Sequence, residues 1–121
     1  MKIFSLLIFI SSFCLFDCLA GNSEKDSYFF SKVGYQQGLS NSAVISVFQD
    51  SAGLMWFGTY DGVNCYDGKD MDVYRSDFST NLSNNVIYRI RQADNNCLWI
   101  TTGAGQNRFS PALRKVVGTY E

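Results

Sequence analysis

The chain has 121 residues, a formal net charge of −1, 46% hydrophobic and 16% aromatic residues, one Pro and no His. The balanced charge gives no electrostatic footprint for nucleic acid, and the aromatic content with so little Pro excludes a disordered or collagen-like chain. Without His there is no Ser-His-Asp or Cys-His nucleophile pair, few zinc constellations, and no phospho-accepting histidine.

Met1-Lys2 is a short cationic start, and Ile3 to Phe16 is an apolar run interrupted only by three Ser. Cys18-Leu19-Ala20 then places small residues where a signal peptidase reads. Residues 1–20 are therefore expected to be a secretory signal cut after Ala20. The run is shorter than the roughly 18 to 20 apolar residues of a spanning helix. An uncleaved anchor and a lipid on Cys18 are the alternatives; Phe16-Asp17 fits the second poorly. Cys65 and Cys97 remain after cleavage and are expected as buried free thiols on different strands, although an exported chain could pair them.

Residues 21–37 form an N-terminal segment, in which Tyr28 to Val33 is expected as a leading outer strand. From there the chain repeats itself. Shifted by 43 residues, Leu39–Asp67 falls on Leu82–Ser110 without a gap, and eight of 29 positions are identical. Those are Leu39/Leu82, Ser40/Ser83, Asn41/Asn84, Gln49/Gln92, Trp56/Trp99, Thr59/Thr102, Gly62/Gly105 and Asn64/Asn107. The only two Trp of the chain match each other. This divides the remainder into a first repeat, 38–80, and a second, 81–121.

Each repeat reads as four short strands. In the first they are Ala43–Gln49, Leu54–Thr59, Val63–Tyr66 and Met71–Arg75, with turns at Asp50-Ser51-Ala52-Gly53, Tyr60-Asp61-Gly62 and Asp67-Gly68-Lys69-Asp70. In the second they are Val86–Gln92, Leu98–Thr102, Gln106–Phe109 and Lys115–Tyr120. Leu54-Met55-Trp56-Phe57 is continuously apolar, which asks for cover on both sheet faces. A period near 43 residues with covered sheets predicts an all-β, partial β-propeller of about two four-stranded antiparallel blades. Trp56 and Trp99 are expected between blades, each needing a partner for its indole N–H. Gly58 is expected where a side chain would crowd an adjoining backbone.

The stretch Gly38-Leu39-Ser40, then Asp50-Ser51-Ala52-Gly53-Leu54-Met55-Trp56-Phe57-Gly58-Thr59, then Asp61-Gly62-Val63-Asn64-Cys65-Tyr66-Asp67, resembles the two-component regulator propeller repeat. Its pattern runs GLS, a hydrophobic strand, D-x-x-G, L-W-x-G-T and D-G-L-N-x-[YF]-D. The resemblance marks Asp50, Gly53, Trp56, Gly58, Gly62 and Asn64 as repeat residues, with Trp99, Gly105 and Asn107 in the second copy. The second copy departs at Ala93 for Asp50, Asn96 for Gly53 and Thr101 for Gly58, so its hairpin is expected to be less standard.

Such repeats build the periplasmic sensor region of hybrid two-component histidine kinases. The resemblance thus implies a ligand-sensing extracytoplasmic segment, non-enzymatic itself, of a parent in the inner membrane. An oligosaccharide is the ligand class implied for that parent, and the remaining blades are implied as partners. A closed propeller has four or more blades, so the expectation is an N-terminal fragment lacking the kinase, prone to self-association. A stand-alone exported module assembling with its own copies is the alternative, and a propeller lyase or hydrolase the third reading.

No cofactor, metal or nucleic-acid site is expected. Asp61, Asp67, Asp70 and Asp72 fit no EF-hand spacing and read as turn residues. Ser40, Asn41, Ser83 and Asn84 are expected to cap turns rather than line a ligand face. Tyr60, Tyr66, Tyr74 and Arg75 are the residues suited to carbohydrate, against a default role in the core. Ligand-binding residues stay unassigned.

Overall fold

A computed structural model describes residues 30–120. The expected signal, residues 1–20, and Tyr28-Phe29 of the leading strand lie outside the described residues. Lys32–Glu121 forms one compact unit.

A 3-10 turn over Tyr35–Gln37 opens that unit and ends at Gly38, whose φ of 99° lets the Gly38 N–H return to the Tyr35 carbonyl. Eight strands follow: β1 Val44–Gln49, β2 Met55–Thr59, β3 Gly62–Tyr66, β4 Met71–Tyr74, β5 Ile87–Gln92, β6 Leu98–Thr102, β7 Gly105–Ser110 and β8 Lys115–Tyr120. They form two four-stranded sheets in the orders β1-β2-β3-β4 and β5-β6-β7-β8, antiparallel throughout. The β-branched and aromatic runs make the strands, and Asp, Asn and Gly make the turns. Both innermost pairs carry an irregularity at one point of the repeat, Val44/Ser46 in β1 and Ile87/Arg89 in β5. The first three strands of the two blades share one register; the fourth does not, since β7 and β8 pair with an irregularity at Arg108/Phe109 that β3 and β4 lack.

Phe30–Val33 belongs to no strand, contrary to expectation. In a ring that strand would pair with the third strand of a closing blade, and no such blade is among the described residues.

Blade 2 lies on blade 1 through β5, which packs against β1 and β2. One face of blade 1, here its forward face, carries Ser46, Phe48, Trp56, Gly58, Val63 and Cys65, paired across strands as Ser46/Gly58, Phe48/Trp56, Gly58/Val63 and Trp56/Cys65. The rear face of blade 2 answers with Ile87, Ile90, Leu98, Ile100 and Phe109, all nearly inaccessible. The Ile90 N–H donates to Ser46 Oγ at 3.1 Å across the junction. Gly58 makes the approach possible: a Cβ there would sit 2.7 Å from Ile87 Cγ2. The crowding neighbour is thus a side chain of the next blade, not a backbone as expected.

The apolar run of β2 is covered on one face only. Trp56 is 1% exposed, whereas Met55 and Phe57, on the rear face, are half-buried. Val47 beside them, paired with Phe57, is 58% exposed. The run therefore reads as a strand made for two neighbours and given one.

Candidate functional site

The identical residues of the two repeats converge on a small buried polar network, made once per blade. In blade 1 the Ser40 N–H donates to Asn64 Oδ1 at 2.9 Å, and Asn64 Nδ2 donates to Ser40 Oγ at 2.8 Å. Thr59 Oγ1 donates to the Gly62 carbonyl at 3.1 Å and accepts the Asp61 N–H at 2.9 Å. Its proton being spent there, Ser40 Oγ is the donor in the 3.1 Å contact with Thr59 Oγ1. The linker entering each blade is thereby pinned to the end of its second and third strands. Blade 2 repeats the scheme with Ser83, Thr102 and Asn107: Ser83 N–H to Asn107 Oδ1 at 2.9 Å, and Ser83 Oγ to Thr102 Oγ1 at 2.7 Å. One bond is missing, for Asn107 Nδ2 is buried without a hydrogen-bond partner among the described residues.

Asn41 Oδ1 and Asn84 Oδ1 accept the N–H groups of Ala43 and Val86, each at 2.8 Å, and so cap the turns into β1 and β5. These hydroxyls and amides are consumed by the fold. Gly62 closes the same end of the blade. Its φ is 103°, and a Cβ would run into the Tyr74 carbonyl oxygen, while its N–H donates to the Asn85 carbonyl at 2.7 Å. Gly105 repeats the positive φ at 127°.

The second convergence is the aromatic junction between blades. Trp56 lies 6.2 Å from Tyr74 and 6.0 Å from Phe109, and Tyr74 lies 5.0 Å from Phe109, the last two edge-to-face. Trp56 Nε1 donates to Asp50 Oδ2 at 2.8 Å. Asp50 Oδ1 meanwhile accepts the N–H groups of Ala52 and Leu54, so one carboxylate shapes the hairpin and holds the indole. Burial, then the nearby Asp50 charge, pushes the Cys65 thiol up to about 11. Burial likewise raises the Tyr74 phenol. Cys65 and Cys97 are both buried free thiols, but only Cys65 is on a strand, β3; Cys97 lies just before β6, contrary to expectation.

Trp99 occupies the equivalent place in β6 but not an equivalent environment. It is half-buried, touches Tyr120 edge-to-face at 5.2 Å, and has no Asp beneath it, because Ala93 replaces Asp50. The expectation that both Trp lie between blades holds for Trp56 alone: Trp99 is on the forward face of blade 2, which has no neighbour among the described residues. The blade 2 hairpin also departs from blade 1. Gly53 supplies the single positive φ, 86°, of the first, whereas Asn95 and Asn96 supply two, 56° and 57°, in the second. Asn tolerates that region best among residues with a Cβ.

The four clustered carboxylates do not converge, and among the described residues no three His, Cys, Asp or Glu side chains could hold a metal ion. Asp67 Oδ1 accepts the N–H groups of Lys69 and Asp70, which holds its carboxyl below the ordinary range. Asp61 instead pairs with Arg75 at 3.0 Å, and Asp72, on a strand, pairs with Arg114 at 3.3 Å. Among the candidate sugar-contacting residues, Tyr74 is core, Tyr66 bonds the Gly68 carbonyl, and Arg75 is bound to Asp61; Tyr60 is free and 56% exposed. Two open clefts remain. One of about 520 Å³ is lined by Lys32, Val33, Tyr35, Gln37 and Val44. The other, about 430 Å³, lies between the two hairpins, lined by Asp50, Leu54, Gln92, Asn95, Leu98 and Ser110. Neither brings a nucleophile together with a base.

Two stacked four-stranded antiparallel sheets, pinned by the same three polar side chains, are blades of a β-propeller. Residues 38–61 and 81–104 match the two component regulator propeller model, one match in each blade. It is 38% identical over 74 residues to "Histidine kinase P4" of Formosa agariphila, a match covering 61% of this chain and 5% of that protein. The extracellular domain of the hybrid two component system BT3049 from B. thetaiotaomicron superposes with a TM-score of 0.67 at 29% identity, over 78% of this chain and 14% of that one. The extracellular domain of the one component system BT4673 from the same organism gives 0.59 at 30% identity, over 75% and 14%. The chain therefore spans a small part of the proteins it resembles.

Proposed function

We propose that the chain is part of the extracytoplasmic, ligand-sensing propeller of a two-component sensor, carrying no kinase among residues 1–121, and exported by a leader cut after Ala20. The stacking of two repeat-matched blades, similar at 29% identity to the extracellular domain of a hybrid two component system, is the observation that carries this reading. Among the described residues no helix is long and apolar enough to cross a membrane. The polar residues of each repeat are spent on pinning each linker to its own blade, which fits a scaffold that presents ligand-contacting groups from its turns and clefts. An oligosaccharide is the ligand class we assign to the complete sensor.

The test is export. Fused to a reporter that is active only outside the cytoplasm, the chain should give activity and a product starting at Gly21. A product retained in the cytoplasm with Met1 intact would refute the reading.

A further inference from the structure

The forward face of blade 2 is chemically unlike the forward face of blade 1. The positions filled in blade 1 by Ser46, Phe48 and Cys65 are filled in blade 2 by Arg89, Arg91 and Arg108. Register puts all three on one face. Arg89 pairs with Thr101, Arg91 with Trp99, and Trp99 with Arg108. Gly58 and Val63, the small and apolar members of the blade 1 face, become Thr101 and Gln106. The result is a half-buried Trp with an Arg at the paired position on each neighbouring strand and Tyr120 at its edge. None of the three Arg forms an ion pair among the described residues. Arg108 alone makes a hydrogen bond, to the Asp94 carbonyl at 3.2 Å.

The rear face of blade 1 is the opposite kind of surface. Val47, Phe57, Met55, Tyr66 and Val73 lie on it, with no charged side chain among the residues paired across its strands. Seating that apolar rear face of a second copy on the Arg face would strip water from three cations and supply no anion, a strongly unfavourable exchange. Joining two Arg faces would add like-charge repulsion. The contact that joins blade 1 to blade 2 is thus not one that copies of this chain can repeat.

We propose that the face formed by Arg89, Arg91, Arg108 and Trp99 is an interface for a blade whose rear sheet face carries carboxylates. Planar guanidinium groups carried on one sheet face match carboxylates bidentately. The existing junction shows where the first would reach. Residue 46 of the forward face touches residue 90 of the next blade, and Arg89 is the repeat equivalent of Ser46. The carboxylates belong at the places that Ile90 and Gln92 take in blade 2. The proposal rests on the reading of the chain as part of a larger propeller, but its test does not depend on export.

Val47 and Gln49 are the blade 1 equivalents of Ile90 and Gln92, and both are exposed. Replacing them by Glu in the full chain creates a rear face of the proposed kind, and sedimentation then reads self-association. The Val47→Glu/Gln49→Glu chain should associate head to tail, with an apparent Kd about tenfold weaker at 500 mM than at 20 mM salt. Adding Arg89→Gln, Arg91→Gln and Arg108→Gln should abolish that salt-weakened association, and Val47→Lys/Gln49→Lys should never show it. Trp99 fluorescence offers a second measurement: iodide should quench the wild-type chain several-fold better than caesium, and the three Arg→Gln changes should remove the difference. Absence of association in the Glu variant, or association unaffected by the Arg changes, would overturn the proposal. So would wild-type binding to polygalacturonate through the three Arg while the Glu variant stays unassociated, which would make the face a polysaccharide site.

Discussion

Asp50 and Ala93 stand at the same point of the two repeats and decide how each tryptophan is held. Asp50 accepts the Trp56 indole and two backbone N–H groups; Ala93 can accept none of the three through its side chain. Asp50→Ala should cost about 1–3 kcal/mol through the buried donors it orphans, and Trp56→Ala about 3–5 kcal/mol. Trp99→Ala should cost less than half the Trp56 value, because Trp99 is half-buried. Denaturant titration of the three variants checks the order. Cys65 supplies a pH test. Its thiol, ordinarily at 9.0, is raised to about 11 in the folded chain. A group raised by folding contributes stability below its unfolded value and loses it as pH rises through the folded one. Stability should thus decline between about pH 9 and 11, and Cys65→Ser should flatten that decline. At neutral pH the thiol should resist alkylation until the chain unfolds.

At the scale of the element, the residues that set blade spacing are the informative ones. Gly58 lets β2 meet β5, and Gly58→Ala should destabilise by about 1–3 kcal/mol through overpacking against Ile87. In a double-mutant cycle Gly58→Ala should cost less on an Ile87→Ala background, which lacks the Cγ2 methyl, whereas a backbone clash would leave its cost unchanged. Thr101, at the same point of blade 2, faces no described neighbour, and Thr101→Gly should bring no gain, costing about 1 kcal/mol as a glycine within a strand. The strand pattern was legible residue by residue: all eight strands lie within one residue of their expected ends at each terminus, β3 beginning at Gly62 rather than Val63. The turn chemistry was legible too, since Asp, Asn and Gly act through local backbone geometry. The partners of Ser40, Thr59 and Asn64 were not, since those side chains are separated by 19 and 24 residues and meet only once the sheet exists.

At the scale of the whole molecule, two sheet faces have no neighbour among the described residues, and they differ in character, one apolar and one cationic. Val47 and Ile45 are 58% and 39% exposed on or beside the apolar one. A surface of a few hundred Å² left in water forgoes on the order of 10 kcal/mol at about 25 cal/mol per Å², comparable to a domain's net stability of about 5 to 15 kcal/mol. The wild-type chain should therefore be marginally stable and associate through its apolar face. That association should be strengthened or untouched by salt, the reverse of the Glu variant. Sedimentation at two salt concentrations with a thermal melt tests this; a monomer melting in one sharp transition above about 50 °C would contradict it.

What the amino-acid sequence determined by itself is the periodic part: the repeat of 43 residues, four strands in each, the turns between them and the two matched tryptophans. Those follow from local propensities and side-chain alternation, which act over a few residues and are visible in one dimension. Tertiary structure alone decided which face of each sheet is covered. Trp56 and Trp99 are the same residue in the same strand position, yet one is sealed between blades and the other shares an open face with three Arg. The reason is that burial depends on what stacks against a face, and the stacking partner lies a whole blade away along the chain.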